Sequence, residues 1–260
     1  MSLVLVAHGT RKSKGVTAIG DLAERVSALL QRSVRVAFVD VLGPTAGEVL
    51  TDTAGTGRPA IVVPAFLSRG YHVNTDLPAH VLASRHPNVT ITPALGPDPQ
   101  IARVIARRLT ESGWRPDCPV ILGAAGTSDP RARVDLLRTA TLLSTLIGSH
   151  VELGFAATGA PRVADAVAAL RSRGARRVAI ASYLLADGVF QERLRDAGAD
   201  LVTEPLGTDA DIARLIAGRF NLAPLGETQR HPNSPAKGHF WDCSRRGVRQ
   251  PGRSARCPQR

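Results

Sequence analysis

Residues 95–109 read LGPDPQIARVIARRL, and 111 positions later residues 206–220 read LGTDADIARLIAGRF, nearly the same helix with the same entry turn. A chain written twice to one plan must place the same elements twice, which constrains its fold more than any composition does. Two further stretches align in the same order. LVLVAHGT (3–10) lies over VILGAAGT (120–127) at an offset of 117, and FLSRGYH (66–72) lies over LLADGVF (184–190) at 118. The sequence is therefore read as a duplication whose copies join near Gly113 to Cys118.

Within each copy, short apolar runs alternate with amphipathic segments. LVLVA (3–7), VRVAFV (34–39), AIVVPAFL (60–67) and VTITPA (89–94) have strand composition, with helical patterns near 16–31, 44–54, 75–85 and 98–111. PVILGAAG (119–126), HVELGF (150–155), RVAIASYLL (177–185) and ADLVTE (199–204) repeat the spacing. Such alternation predicts βαβ units and a parallel sheet covered on both faces. The expected fold is α/β, with two duplicated flavodoxin-like domains at 1–113 and 118–222. Residues 225–260 hold eight Lys or Arg against two Asp or Glu, and their Pro, Ser, Gly and Arg show no period, so they read as a basic disordered tail.

Composition excludes several function classes. The tail carries more than half of the net charge of +11, so the folded part is only mildly basic, and aromatics at 4% leave little for stacking on bases. No nucleic-acid partner is expected. No apolar stretch is long enough to span a membrane, and MSLVLVAHG lacks the basic start and apolar run of a signal peptide, so a cytoplasmic protein is expected. Cys118, Cys243 and Cys257 form neither an even set nor a CxxC pair, which argues against a disulfide framework and a thiolate zinc site.

A doubly wound sheet binds ligands where strands run into helices. AHGTRKSKG puts His8 at the end of the first strand, and SRGYHVNTDLP puts His72 at the end of the third. The second copy acts as an internal control: Gly9, Thr10 and Gly70 have partners Gly126, Thr127 and Gly188, whereas His8 falls opposite Ala125 and His72 opposite Phe190. The loop geometry is repeated and the imidazoles are not. Asp40 closes the second strand and either joins the imidazoles at the rim or caps the turn at Leu42 to Thr45. Two imidazoles and a carboxylate suit a divalent first-row metal with open positions. Asp76, with Pro78 after it, is expected to open the next helix. Arg11, Lys12, Lys14 and Arg69 crowd the same loops and would attract a polyanion, and GTRKSKG could hold phosphate at a helix start, although it is neither a Walker sequence nor GxGxxG.

VAHGTR at the first strand and PAFLSRGYHVNTDLP at the third, with AFVD and Pro44 between, resemble the class II chelatases of the sirohydrochlorin branch. The resemblance covers about residues 1–222 and implies insertion of Fe²⁺ or Co²⁺ into sirohydrochlorin without ATP. It implies His8 and His72 as metal-binding and catalytic residues, with Asp40 at the position of an acid that is often glutamate. Arg11, Arg69 and Thr10 would meet the carboxylate-edged substrate, and the second half would form the other wall of the cleft. A monomer with an internal pseudo-twofold follows from the duplication, and no cofactor beyond the substrate metal is implied. A ferrochelatase is the preferred reading and a cobaltochelatase its nearest rival. A non-catalytic metal-binding protein, or a phosphate-binding flavodoxin-like module, is the rival from another class.

Overall fold

In a computed structural model, residues 1–10 and 12–223 are described; Arg11 and residues 224–260, where the basic tail was expected, lie outside them. The first half runs β1 (Ser2–Ala7), α1 (Ser13–Leu30), β2 (Val34–Phe38), α2 (Ala46–Ala54), β3 (Ala60–Pro64), a π-helical turn (His72–Asp76), α3 (Leu77–Ala83), β4 (Val89–Ile91) and α4 (Pro99–Glu111). The second runs β5 (Val120–Ala124), α5 (Pro130–Ile147), β6 (Val151–Phe155), α6 (Val163–Ser172), β7 (Ala179–Tyr183), α7 (Val189–Arg195), β8 (Leu201–Val202) and α8 (Ala210–Leu222). The sheets are wholly parallel, with orders β2-β1-β3-β4 and β6-β5-β7-β8, the doubly wound order that the alternation implied.

The inner strands β1, β3, β5 and β7 are buried on both faces because both are covered, whereas the outer strands β2 and β6 carry the partly exposed Arg35 and Glu152. Leu3, Leu5 and Ala7 of β1 join α1 in one core, and the alternate residues Val4 and Val6 join Val49 and Leu50 of α2 and Leu77 of α3 in another. Helix starts follow their caps. Thr45 and Glu48 close a capping box on α2, and the carboxylates of Asp98, Asp129 and Asp209 accept backbone N–H groups at the starts of α4, α5 and α8. The apolar run expected as strand to Leu67 leaves the sheet after Pro64. Ala65, buried in the core, still donates its N–H to the Val6 carbonyl at 2.7 Å, and the chain turns away beyond it.

The copies exchange their last helices. α4 packs on β7 beside α5, and α8 packs on β3 beside α1, so each half supplies a cover for the sheet of the other. One apolar core accordingly runs through both halves, from Leu5 and Ile19 to Leu143 and Ile216. Polar contacts repeat the exchange with the offset of 111. Arg108 Nη2 donates to the Leu206 carbonyl at 2.8 Å and lies 3.7 Å from Asp209, while Arg219 Nη2 donates to the Leu95 carbonyl at 3.2 Å and lies 3.5 Å from Asp98. The repeated Leu, Asp and Arg of the two helical segments thus serve one reciprocal contact. Among the described residues, no helix is long and apolar enough to cross a membrane.

Candidate metal centre

His8 and His72 leave the carboxyl ends of the neighbouring parallel strands β1 and β3, and their rings meet edge to face with centroids 4.5 Å apart. Gly9 makes the first turn possible. Its φ is +97°, and a Cβ there would stand 2.2 Å from the Asp40 carbonyl oxygen. Gly126 does the same in the other half, at φ +135° with the Thr158 carbonyl 2.4 Å from a Cβ, so the loop geometry is repeated as its sequence implied.

Each imidazole has an oxygen acceptor at Nδ1. His72 Nδ1 lies 2.6 Å from Asp76 Oδ2, and His8 Nδ1 lies 3.2 Å from the Gly9 carbonyl oxygen. An oxygen that can only accept requires the proton on Nδ1, which leaves Nε2 of each neutral ring with a free lone pair. This is the arrangement in which a carboxylate orients a ligating histidine. Asp76 therefore has a role other than the one expected. It makes no cap hydrogen bond at the start of α3, because the π-helical turn brings its carboxylate back onto His72 four residues earlier. The i, i+4 spacing was visible in HVNTD, but it has this meaning only if the segment is helical from His72 onward.

Asp40 is not gathered with the imidazoles. Its Oδ1 accepts from Val41 N–H at 2.7 Å and its backbone carbonyl accepts from Leu42 N–H at 2.8 Å. Among the described residues, no three His, Cys, Asp or Glu side chains stand together as a metal site. The cations are also largely committed. Arg69 forms a bidentate pair with Asp135 on α5, at 2.8 Å from Nε and 2.7 Å from Nη2. Lys12 pairs with Glu192 on α7. Lys14 lines a cavity of about 460 Å³ with Asp21, Arg108, Asp187 and Glu204, which contains neither imidazole. Thr10 accepts from Lys12 N–H at 3.2 Å and faces Gly188, where an added Cβ would lie 3.3 Å from Thr10 Oγ1. Arg11 lies outside the described residues.

The surroundings of the imidazoles are apolar. Phe66 stacks at 6.1 Å from His72 and Tyr71 meets it edge-on at the same distance. Tyr71 is 65% exposed, Val41 beside Gly9 is 42% exposed, and Val189 and Phe190, following Gly188, are 52% and 37% exposed. Exposed apolar residues thus stand on the loops that carry the pair and at the start of α7, whose preceding Gly188 faces Thr10, a surface suited to a flat, largely apolar ligand.

Comparison with known proteins agrees with this architecture. The CbiX family model matches residues 2–112 and again 119–223. The chain is 24% identical to sirohydrochlorin ferrochelatase of Priestia megaterium over 257 residues, covering 94% of each chain. It is 25% identical to sirohydrochlorin cobaltochelatase of the same organism over 241 residues, covering 87% of this chain and 76% of that one. Among solved structures, SirB from Bacillus subtilis with Fe³⁺ superposes with a TM-score of 0.73 at 20% identity, covering 85% of this chain and 94% of the other. Two matched copies of one family model, on a fold that exchanges helices between them, leave a single assignment: the chain belongs to the CbiX family and is a class II chelatase.

Proposed function

We propose that the protein is a sirohydrochlorin ferrochelatase, inserting Fe²⁺ into sirohydrochlorin to give siroheme without ATP. The observation that carries this reading is the facing His8–His72 pair with both Nδ1 atoms occupied by oxygen acceptors. Two Nε2 lone pairs can hold a divalent ion while its other positions remain for water and then for the macrocycle nitrogens. His72, oriented by Asp76, holds the metal. His8 delivers it and, once the metal has left its Nε2, takes one of the two pyrrole protons displaced as the nitrogens bind, the other passing to solvent water. Asp40 is left out of the ligand set because, among the described residues, it does not stand with the imidazoles as a three-ligand group. The exposed apolar residues Val41, Tyr71, Val189 and Phe190 would receive the faces of the macrocycle, and Thr10, with Arg11 next to it in the sequence, would meet its carboxylates.

Iron is favoured over cobalt by the ferrochelatase relative, which aligns over nearly the whole of both chains, whereas the cobaltochelatase aligns over less of its own length. A single chain is the working unit in this reading, since it supplies both halves, and a cytoplasmic location accompanies it. Anaerobic insertion of Fe²⁺ and of Co²⁺ into sirohydrochlorin, followed by absorption, tests the proposal. The protein should accelerate insertion, and His8→Ala or His72→Ala should remove about 10²- to 10⁴-fold of the rate. The ratio of the two metal rates decides between ferrochelatase and cobaltochelatase. If neither ion enters faster than without protein, the enzymatic reading is wrong.

A further inference from the structure

The half without imidazoles grips the loop that carries one. Leu67 and Arg69 lie between β3 and His72, and the hydrogen bonds found for them all go to the C-terminal half. The Tyr183 hydroxyl donates to the Leu67 carbonyl at 2.6 Å. Asp135 Oδ2 accepts from Arg69 N–H at 3.2 Å and from Nε at 2.8 Å, and Oδ1 accepts from Nη2 at 2.7 Å. Thr139, one turn beyond Asp135 on α5, lies 3.3 Å from the Tyr183 hydroxyl and joins the two contacts. Asp135 is 1% exposed, Thr139 0% and Tyr183 3%. Gly96 leaves room for the junction, since a Cβ there would stand 2.3 Å from the Leu67 carbonyl oxygen and 2.4 Å from the Tyr183 hydroxyl.

The duplication shows that the fold does not require this cluster. At the offsets of 117 and 118, Asp135, Thr139, Tyr183 and Arg69 correspond to Ala18, Leu22, Ala65 and Asp187. Where the pseudo-equivalent contacts would fall, Ala18, Leu185 and Asp187 line the cavity of about 460 Å³. Asp187 turns instead to Arg195 of its own half at 3.1 Å. The sheets, helices and exchanged ends form on both sides, yet only the loop leading to His72 is anchored in this way.

We propose that Asp135, Tyr183 and Thr139 are positioning residues: through Arg69 and the Leu67 carbonyl, the C-terminal half holds the 67–72 loop so that His72 stays opposed to His8. The proposal rests on the reading of His72 as the metal-holding residue. It also assigns Arg69 an internal role in place of a substrate contact. Packing both anchors in the buried interior suits a loop whose own residues, from Ser68 to Gly70, form no regular element.

The test uses the full chain with Tyr183→Phe, Asp135→Asn, Arg69→Met, the Asp135→Asn/Arg69→Met double variant, and Asp187→Asn as the control from the other half. Cobalt(II) absorption reads metal affinity, hydrogen exchange reads residues 67–76, and steady-state insertion separates kcat from KM for the macrocycle. Tyr183→Phe, the mildest change, should keep a cooperative melt while weakening Co²⁺ binding about tenfold or more and speeding exchange at 67–76. Asp135→Asn and Arg69→Met should act alike and not add in the double variant. Asp187→Asn should leave both readouts unchanged. Unaltered Co²⁺ affinity and exchange in both Tyr183→Phe and Asp135→Asn would overturn the proposal. So would a raised KM in Arg69→Met that Asp135→Asn does not share, which would make Arg69 a substrate contact. If the unaltered protein inserts neither metal, the functional reading fails, while affinity and exchange still decide whether the cluster positions His72.

Discussion

The loops after β3 and β7 leave equivalent strands of equivalent sheets, keep glycine at Gly70 and Gly188, and lead to helices of similar length, yet they differ in every group that matters to chemistry. One presents His72 and is anchored to the other half through Arg69 and Leu67. The other presents Phe190, and its acid is spent on Arg195. Contacts that build the scaffold, such as the reciprocal Arg108 and Arg219 bonds, are repeated. The contacts that anchor the loop leading to His72 are not. In a duplicated chain this difference separates what the fold needs from what the site needs.

Separating the halves is the harshest trial of the repeated part. Residues 1–115 alone would carry α4 without the β7 surface it covers and leave β3 without α8, so no cooperative thermal transition is expected from that fragment as a monomer. A fragment that melts cooperatively alone would show that the exchange is dispensable. Mixing it with 116–260 to regain the transition would sharpen the case.

The unrepeated part is probed by moving its chemistry. Adding Ala125→His and Phe190→His to a His8→Ala/His72→Ala background should recover none of the lost insertion rate, because the second loop lacks the carboxylate of Asp76 and the anchor at Arg69. Recovery within tenfold of the unaltered protein would mean that two imidazoles on this scaffold suffice.

Stability should follow the same asymmetry. Arg69→Met removes the partner of a carboxylate that is 1% exposed, although the arginine side chain itself is 45% exposed, and should cost about 2 kcal/mol in denaturant unfolding, between the surface and buried scales. Asp187→Ala at the corresponding position breaks a partly exposed pair and should cost about 0.5 kcal/mol. Equal losses would contradict the one-sided anchor.

The smallest effect is on pH dependence. Burial pushes the Asp135 carboxyl up, but hydrogen bonds and the charge of Arg69 outweigh it and hold the group below its ordinary value of 3.8. A depressed folded pKa stabilises above the unfolded value and loses that contribution as pH falls through the folded one. The stability difference between the unaltered protein and Asp135→Asn should be flat from about pH 5 upward and shrink below about pH 4, which unfolding curves from pH 3 to 7 would read. A difference that grows with acid would assign the shift to another group.

Much of this was legible in one dimension. Alternation of apolar runs with amphipathic segments predicted both parallel sheets, because strand and helix patterns depend on neighbours a few residues apart. The repeat identified the loops, and the mismatch within it picked out His8 and His72. Three residues make contacts that their sequence position does not reveal, for reasons that are not local. Asp40 belongs at a strand end whether it caps a turn or meets a metal, and only coordinates show its carboxylate on Val41 N–H. Asp76 followed by a leucine and a proline looks like a helix start, and the preceding π-helical turn redirects it to His72. Arg69 lies among cations at a functional rim, and its partner is 66 residues away.

By itself, then, the sequence determined the doubly wound plan, its duplication and the imidazole pair, since backbone propensity, periodicity and strand-end position are short-range properties. The tertiary structure alone decided which sheet each final helix covers, which acid orients His72 and which carboxylate holds Arg69. Those are choices among several chemically similar groups, and they are made by which surfaces pack together, so no local pattern distinguishes the chosen partner from the others.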